Sequence, residues 1–296
     1  MSNHAASPQS ALVTGAAGGT GFRGRTVAIL VTLAAALGVA LVLAPSWVAA
    51  GVPGGGFANQ SDLVAAVRTA FIGYWHSGDR ALTPGLAHVV DYWFRYHMAK
   101  GVIGALLLIV LVVLGVWLWQ TFAWGADLTA AKRVGLVSAG VFVAALALFS
   151  LAVVMANIQG MVAPLSSALS MLPLGTPSGQ LTGTIDQVRQ QLSDYSSAGG
   201  HPLPASKVMV DDFGRYHAAM VVIAATVASA FAVLSFVSWK RFARTTASEK
   251  RVRRALGVFG VLAALLSVSV FVVMAANITV ARDPAPALLA FFQGGW

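Results

Sequence analysis

Five stretches of the chain carry no charged side chain: 26–44, 101–119, 134–155, 218–239 and 255–276. At a rise of about 1.5 Å per residue, each is long enough to cross a hydrocarbon core of about 30 Å. Backbone polar groups in lipid must be bonded within their own segment, so these runs predict helices in spite of their valine content. Between them lie shorter segments with helical periodicity. Val64, Val67, Phe71, Tyr74 and Trp75 recur on one face of the first, and Ile185, Val188, Leu192 and Tyr195 on one face of the second. Thr184 with Gln187 has capping-box spacing, and Ser61 is positioned to cap the earlier helix. Gly-, Pro- and Ser-rich stretches at 51–56, 173–179 and 197–204 predict the turns around them. Amphipathic helices placed this way either lie on head groups or cap the membrane helices.

Residues 91–97 read Asp-Tyr-Trp-Phe-Arg-Tyr-His, and 211–217 read Asp-Asp-Phe-Gly-Arg-Tyr-His, an offset of 120 residues. At the same offset Trp119 meets Trp239, Arg133 meets Arg253, Gly140 meets Gly260, Asn157 meets Asn277 and Pro164 meets Pro284. Any two membrane helices share Val and Leu; shared polar, Gly and Pro positions indicate a tandem repeat. With one inserted residue the match extends upstream, pairing Val67-Arg68 with Val188-Arg189. The expected organisation is a tail at 1–25, a first span at 26–50, and two repeat units at 51–170 and 171–296, each an external helix followed by a membrane hairpin. Two spans per unit give both copies one orientation, hence a pseudo-twofold along the membrane normal. The expected fold is all-α: five transmembrane helices, four of them in a bundle, with short external amphipathic helices. Gly140 with Ala144 and Gly260 with Ala264 provide small-residue faces for close helix contact.

Composition agrees with a membrane protein. Hydrophobic residues make up 57% and charged residues 10% of the 296, and mean hydropathy is +0.77. The absence of cysteine excludes disulfides, thiolate metal sites and a Cys nucleophile. The net charge of +9 is unevenly placed. Segments 1–25, 120–133 and 240–254 hold eleven basic residues, seven of them between Lys240 and Arg254, against Asp127 and Glu249; the opposite segments balance, eight against eight. The positive-inside rule makes the first set cytoplasmic, with the N-terminus inside and the C-terminus outside. The basic cluster then meets anionic lipid rather than nucleic acid. An Ala-, Val- and Gly-rich chain of this kind suggests a bacterial-type plasma membrane. Arg23 and Arg25 before an apolar run that ends at Pro45, followed by Val48-Ala49-Ala50, also read as a signal peptide; a core of this length favours a retained anchor.

Candidate chemistry gathers around the repeated motif. Asp91 with Arg95, and Asp211 with Arg215, are four apart and predict ion pairs at the entrance of membrane helices. Tyr96, His97, Tyr216 and His217 follow at the same depth, with His97 about 200° around the helix from Arg95, so a site that uses both needs the two copies to face each other. They read as an interfacial aromatic and polar belt. Alternatively His97 and His217, brought together across the repeat, ligate haem or a metal ion, with Arg95 and Arg215 near its acidic groups, or handle a proton or ligand. Asn157 and Asn277 read as helix caps or, alternatively, as contacts to the same ligand or partner. His76, His88 and His201 have no repeat counterpart, and Trp117, Trp119 and Trp124 form an aromatic belt at the basic end.

Ala11-Leu12-Val13-Thr14-Gly15-Ala16-Ala17-Gly18-Gly19-Thr20-Gly21 resembles the opening strand and loop of short-chain dehydrogenases, which implies a dinucleotide site. A βαβ unit must follow such a loop, and here Arg23, Arg25 and a membrane span follow instead. The functional expectation is a non-enzymatic membrane scaffold or partner-binding component, docking another membrane protein or a second copy, with no resident cofactor. The alternatives are a haem or metal protein and a small-solute pathway.

Overall fold

The computed structural model describes residues 18–51, 55–125, 128–195 and 203–295. Nine helices occur among them: α1 Gly18–Ala50, α2 Gln60–Ser77, α3 Pro84–Trp124, α4 Ala130–Val162, α5 Pro164–Leu169, α6 Gln180–Tyr195, α7 Pro204–Arg244, α8 Lys250–Arg282 and α9 Pro284–Phe292. Five of them, α1, α3, α4, α7 and α8, are long and apolar enough to cross a membrane, so the chain is a multi-pass membrane protein by length and composition. Each encloses one of the charge-free runs. Helices α3 and α7 both have 41 residues, and α4 and α8 both have 33. Pro84 to Pro204 and Ala130 to Lys250 are both steps of 120.

Helices α3 and α4 pack as one hairpin and α7 and α8 as another; α1 lies on α3, and α4 meets α7. Serine hydroxyls donate across the helix contacts: Ser150 to the Gly104 carbonyl at 2.8 Å, Ser235 to Gly260 at 2.8 Å and Ser267 to Ala228 at 2.9 Å. Interhelical bonds of this kind contribute about 0.6 kcal/mol each in membrane helices. The rest of the span surface is apolar and open, as at Val222, Phe236 and Phe271.

At one end the long helices project beyond the spans into a second core. There α2, α5, α6 and α9 bury Val67, Phe71, Tyr74, Leu165, Leu169, Leu181, Val188, Leu192, Leu288 and Phe292 against Leu86, Val89, Met209 and Phe213 of α3 and α7. Phe71 stacks on Phe292 at 6.1 Å. The Trp75 indole donates to Gln187 Oε1 at 3.0 Å, and Arg189 Nε donates to the Phe292 carbonyl at 2.9 Å. The amphipathic segments thus form a cap that ties all the later elements together. The opposite end carries the basic residues, where Trp119 of α3 meets Phe259 of α8 edge-on at 5.3 Å.

Several local expectations change. Helix α1 continues through Pro45 to Ala50, because a missing amide donor is tolerated inside an apolar helix. Helix α1 begins at Gly18, within the glycine-rich stretch, and 11–17 lie outside the described residues. Asn59, not Ser61, caps α2, its side chain accepting from the Asp62 amide at 2.9 Å. Thr184 is inside α6 and donates to the Gln180 carbonyl, while Gln187 serves Trp75, so there is no capping box. Gly260 does make a close helix contact, since a Cβ there would meet the Trp239 ring at 2.9 Å. Gly140 faces open space, and Gly104 instead sets the α3–α4 approach, where a Cβ would come 3.3 Å from the Val154 side chain.

Candidate functional site

Because α3 and α7 begin with Pro84 and Pro204, the repeated motif falls inside continuous helix at the cap end, not at a helix start. His97 is four turns into α3 and faces α4 and α5. Its Nδ1 lies 2.8 Å from Asn157 Oδ1, and its Nε2 lies 3.0 Å from Ser167 Oγ. The Val153 carbonyl only accepts, taking Asn157 Nδ2 at 2.7 Å, so Asn157 Oδ1 is the atom that faces the ring and His97 Nδ1–H donates to it. In the neutral imidazole Nε2 then accepts from the Ser167 hydroxyl, which itself accepts from the Trp93 indole at 3.0 Å, and both ring nitrogens are engaged. The ring lies against bare backbone: a Cβ on Gly160 would come within 2.6 Å of it.

The second hairpin repeats half of this network. His217 Nδ1 lies 2.8 Å from Asn277 Oδ1, and Asn277 Nδ2 donates to the Val273 carbonyl at 2.8 Å. The same logic places the proton on Nδ1 and a lone pair on Nε2. That Nε2 is buried and has no hydrogen-bond partner. Phe213 stands where the first hairpin has Trp93, Ala287 where it has Ser167, and Val280 where it has Gly160. His217 is 8% exposed, enclosed by Phe213 with ring centroids 4.6 Å apart and by Tyr216 at 5.5 Å. Each histidine is thus held by an asparagine of its own hairpin. Neither asparagine is a cap: α4 and α8 run on for a further turn, to Val162 and Arg282.

The ion pairs divide the same way. Arg95 Nη2 pairs with Asp91 Oδ2 at 2.7 Å, as the spacing predicts, and its Nη1 lies against Gly51, whose φ of 65° suits glycine. Arg215 does not pair with Asp211. Its Nη2 bonds Asp212 Oδ1 at 2.7 Å, one residue later. Asp212 is drawn inward because its Oδ2 accepts both the Ser166 amide and the Ser166 hydroxyl at 2.8 Å, closing the first turn of α5 from the other hairpin. Gln159 Nε2 also crosses between hairpins, donating to the Tyr216 carbonyl at 3.1 Å. Thr279, 120 residues after Gln159, bonds the Ala276 carbonyl of its own helix instead, so this contact has no symmetric counterpart. The Tyr96 ring stacks on Trp93 at 4.9 Å.

Asp212, Ser166, Ser167 and Trp93 are the residues that spacing alone passes over. Pro164 and Pro284, each at the first position of a short helix, signal α5 and α9, and α5 brings Ser166 and Ser167 to the site. Among the outlying histidines, His88 lies 5.7 Å from Phe57, His76 lines a groove on α2, and His201 lies outside the described residues. That groove, about 850 Å³, runs along Ser61, Arg68, Thr69 and Ile72 of α2 beside Pro173 and Gln180. Arg68 closes its rim by donating to the Ser178 carbonyl at 2.7 Å. Burial and then Asp79 push the Tyr74 phenol above its ordinary value, and burial with Asp211 does the same for Tyr195. Among the described residues, no three His, Asp or Glu side chains are grouped to hold a metal ion.

No protein-family model, no curated protein and no solved structure matches this chain.

Proposed function

We propose that this is a bacterial-type plasma-membrane scaffold, built by tandem duplication of an external helix and a membrane hairpin, that docks a partner protein on its extracytoplasmic cap. The groove on α2 carries this reading: it is a concave surface of about 850 Å³ with apolar and polar lining, mounted on a cap whose parts are cross-linked by Trp75–Gln187 and Arg189–Phe292. The charge imbalance supports a cytoplasmic N-terminus and an extracytoplasmic cap and C-terminus. The bundle is formed by α3, α4, α7 and α8, with α1 as a retained anchor packed on α3.

The cysteine-free chain makes the test clean. A single-cysteine variant at Thr69 in intact cells should react with a membrane-impermeant maleimide, and one at Arg254 should not. A photo-crosslinker at Thr69 should then give a discrete heavier adduct that one at Val222, on the apolar span surface, does not give. Labelling of Arg254→Cys but not Thr69→Cys reverses the orientation; the absence of any groove-specific adduct removes the docking role.

His217 supports a second reading, a haem or metal protein. A neutral imidazole whose Nδ1–H is bonded to a carbonyl oxygen and whose Nε2 is free is the usual preparation of a metal ligand. His97 is already satisfied at both nitrogens, so this reading rests on one histidine, not a pair. Titration of the purified protein with haemin and with zinc, compared with His217→Ala, tests it; identical spectra and stoichiometries for the two proteins remove it.

A further inference from the structure

Where the two hairpins meet at the cap end, a cavity of about 250 Å³ opens between Val162, Pro164 and Leu165 on one side and Val208, Asp212 and Arg215 on the other. Its walls are apolar apart from the last two. Asp212 is fully committed: one oxygen takes both Ser166 donors and the other takes Arg215 Nη2, and the side chain is 5% exposed. The carboxylate therefore acts as an anchor that aims the guanidinium. Arg215 itself is 64% exposed, and Nη2 is the guanidinium nitrogen that Asp212 engages, so most of its five donors remain for something outside the chain.

The first hairpin provides the comparison. Arg95 spends Nη2 and Nε on Asp91, packs Nη1 against Gly51 at the end of α1, and is 28% exposed. Position 92, which matches Asp212, is Tyr, buried against Phe57. The same arginine is thus closed in one hairpin and open beside a cavity in the other.

Arg215 also stands at the edge of the apolar zone. Val222 lies seven residues further along α7, on the same face and about 10 Å deeper, and is 67% exposed. Val162, on the cavity wall, is 46% exposed. A ligand filling this place meets a bidentate-capable cation at one end and a lipid-facing valine surface below it. We propose that the Arg215 cavity binds the phosphodiester head group of an anionic phospholipid, its acyl chains lying along α7 past Val222. Guanidinium groups match phosphate oxygens in pairs, which a lysine cannot do.

The test uses the full-length protein in nanodiscs or mild detergent, with phosphatidylglycerol, phosphatidylcholine and inorganic phosphate as separate probes, read by native mass spectrometry and thermal unfolding. The expected result is one tightly held phosphatidylglycerol on the wild type, bound at least about tenfold more weakly by Arg215→Gln, the loss of a charge-assisted bond pair. Arg95→Gln and Arg254→Gln should retain it, which separates this site from the basic end. Arg215→Lys keeps the charge and the fold but loses the paired geometry, and should fall in between. Equal retention by wild type and Arg215→Gln overturns the proposal, as does equal retention of phosphatidylcholine. Inorganic phosphate displacing the lipid at comparable concentration overturns the lipid assignment in favour of a simple anion site.

Discussion

His97 Nε2 accepts a hydrogen bond from Ser167 Oγ at 3.0 Å, whereas His217 Nε2, 120 residues later, faces Ala287 in sequence register and has no partner. One imidazole is closed by a hydroxyl and the other is left with a buried lone pair. Ser167→Ala opens the first as well, stranding both His97 Nε2 and the Trp93 indole. It should cost about 1–3 kcal/mol of stability. Ala287→Ser should move the other way, by up to about 1.5 kcal/mol, by supplying the missing donor. Thermal unfolding of the two variants in the same detergent checks both; a neutral Ser167→Ala would show that the network carries no net stability.

Gly160 and Gly140 should behave oppositely although both are glycines of α4. A Cβ on Gly160 meets three atoms of the His97 ring at 2.6–2.7 Å, and the ring is held at both ends. Gly160→Ala should destabilise by about 1–3 kcal/mol through overpacking. Gly140→Ala meets nothing within 4 Å and should be neutral or slightly stabilising through helix propensity. Comparable melting temperatures for the two variants contradict the packing described here.

The neighbouring aspartates separate in the same way. Asp212→Asn removes the charge from a carboxylate that serves Ser166 twice and Arg215 once, and should cost about 2 kcal/mol. Asp211→Asn, on the exposed side of α7, should change stability by less than about 0.5 kcal/mol. Denaturant midpoints in micelles provide the measurement, and a larger effect at Asp211 would restore the pairing expected from spacing.

Tyr74 has a fully buried hydroxyl without a partner. Burial and Asp79 raise its folded-state pKa above the ordinary phenol value, so the folded protein holds the phenolic proton more tightly than the unfolded chain does. Its contribution is fully present below pH 10 and is lost as pH rises through the raised value. Tyr74→Phe should be at least as stable as the wild type at neutral pH, by about 1 kcal/mol, and should flatten the alkaline fall. Melting curves between neutral pH and pH values above 10 test this; an unchanged alkaline limb assigns the loss to other groups.

The five spans are legible in the sequence because lipid leaves the backbone only one local solution, and a charge-free run of that length has no other use. The amphipathic faces of α2 and α6 are equally legible, since Val67, Phe71, Val188 and Leu192 keep strict helical spacing. What spacing misses is long-range competition for a side chain. Asp211 and Asp212 are adjacent and chemically identical, and register with Asp91 selects the former; Ser166, 46 residues away, selects the latter. Asn157 and Asn277 look like helix ends because their spans stop being purely apolar there, yet helix continues while the side chains turn to the histidines. The His–Asn pairing is foreshadowed by their common 60-residue separation, 97 to 157 and 217 to 277, a signal that a search for pairs within each unit would have found.

The carboxylate of Asp212 closes the opening turn of α5, a helix that follows the other hairpin. Neither half of this polypeptide is therefore self-sufficient. Split between α5 and α6, the leading fragment would expose an unsatisfied Ser166 and the trailing one a buried acid with only Arg215 to neutralise it. The two hairpins are joined through this one side chain, and moving either into another protein would carry away half of a bond.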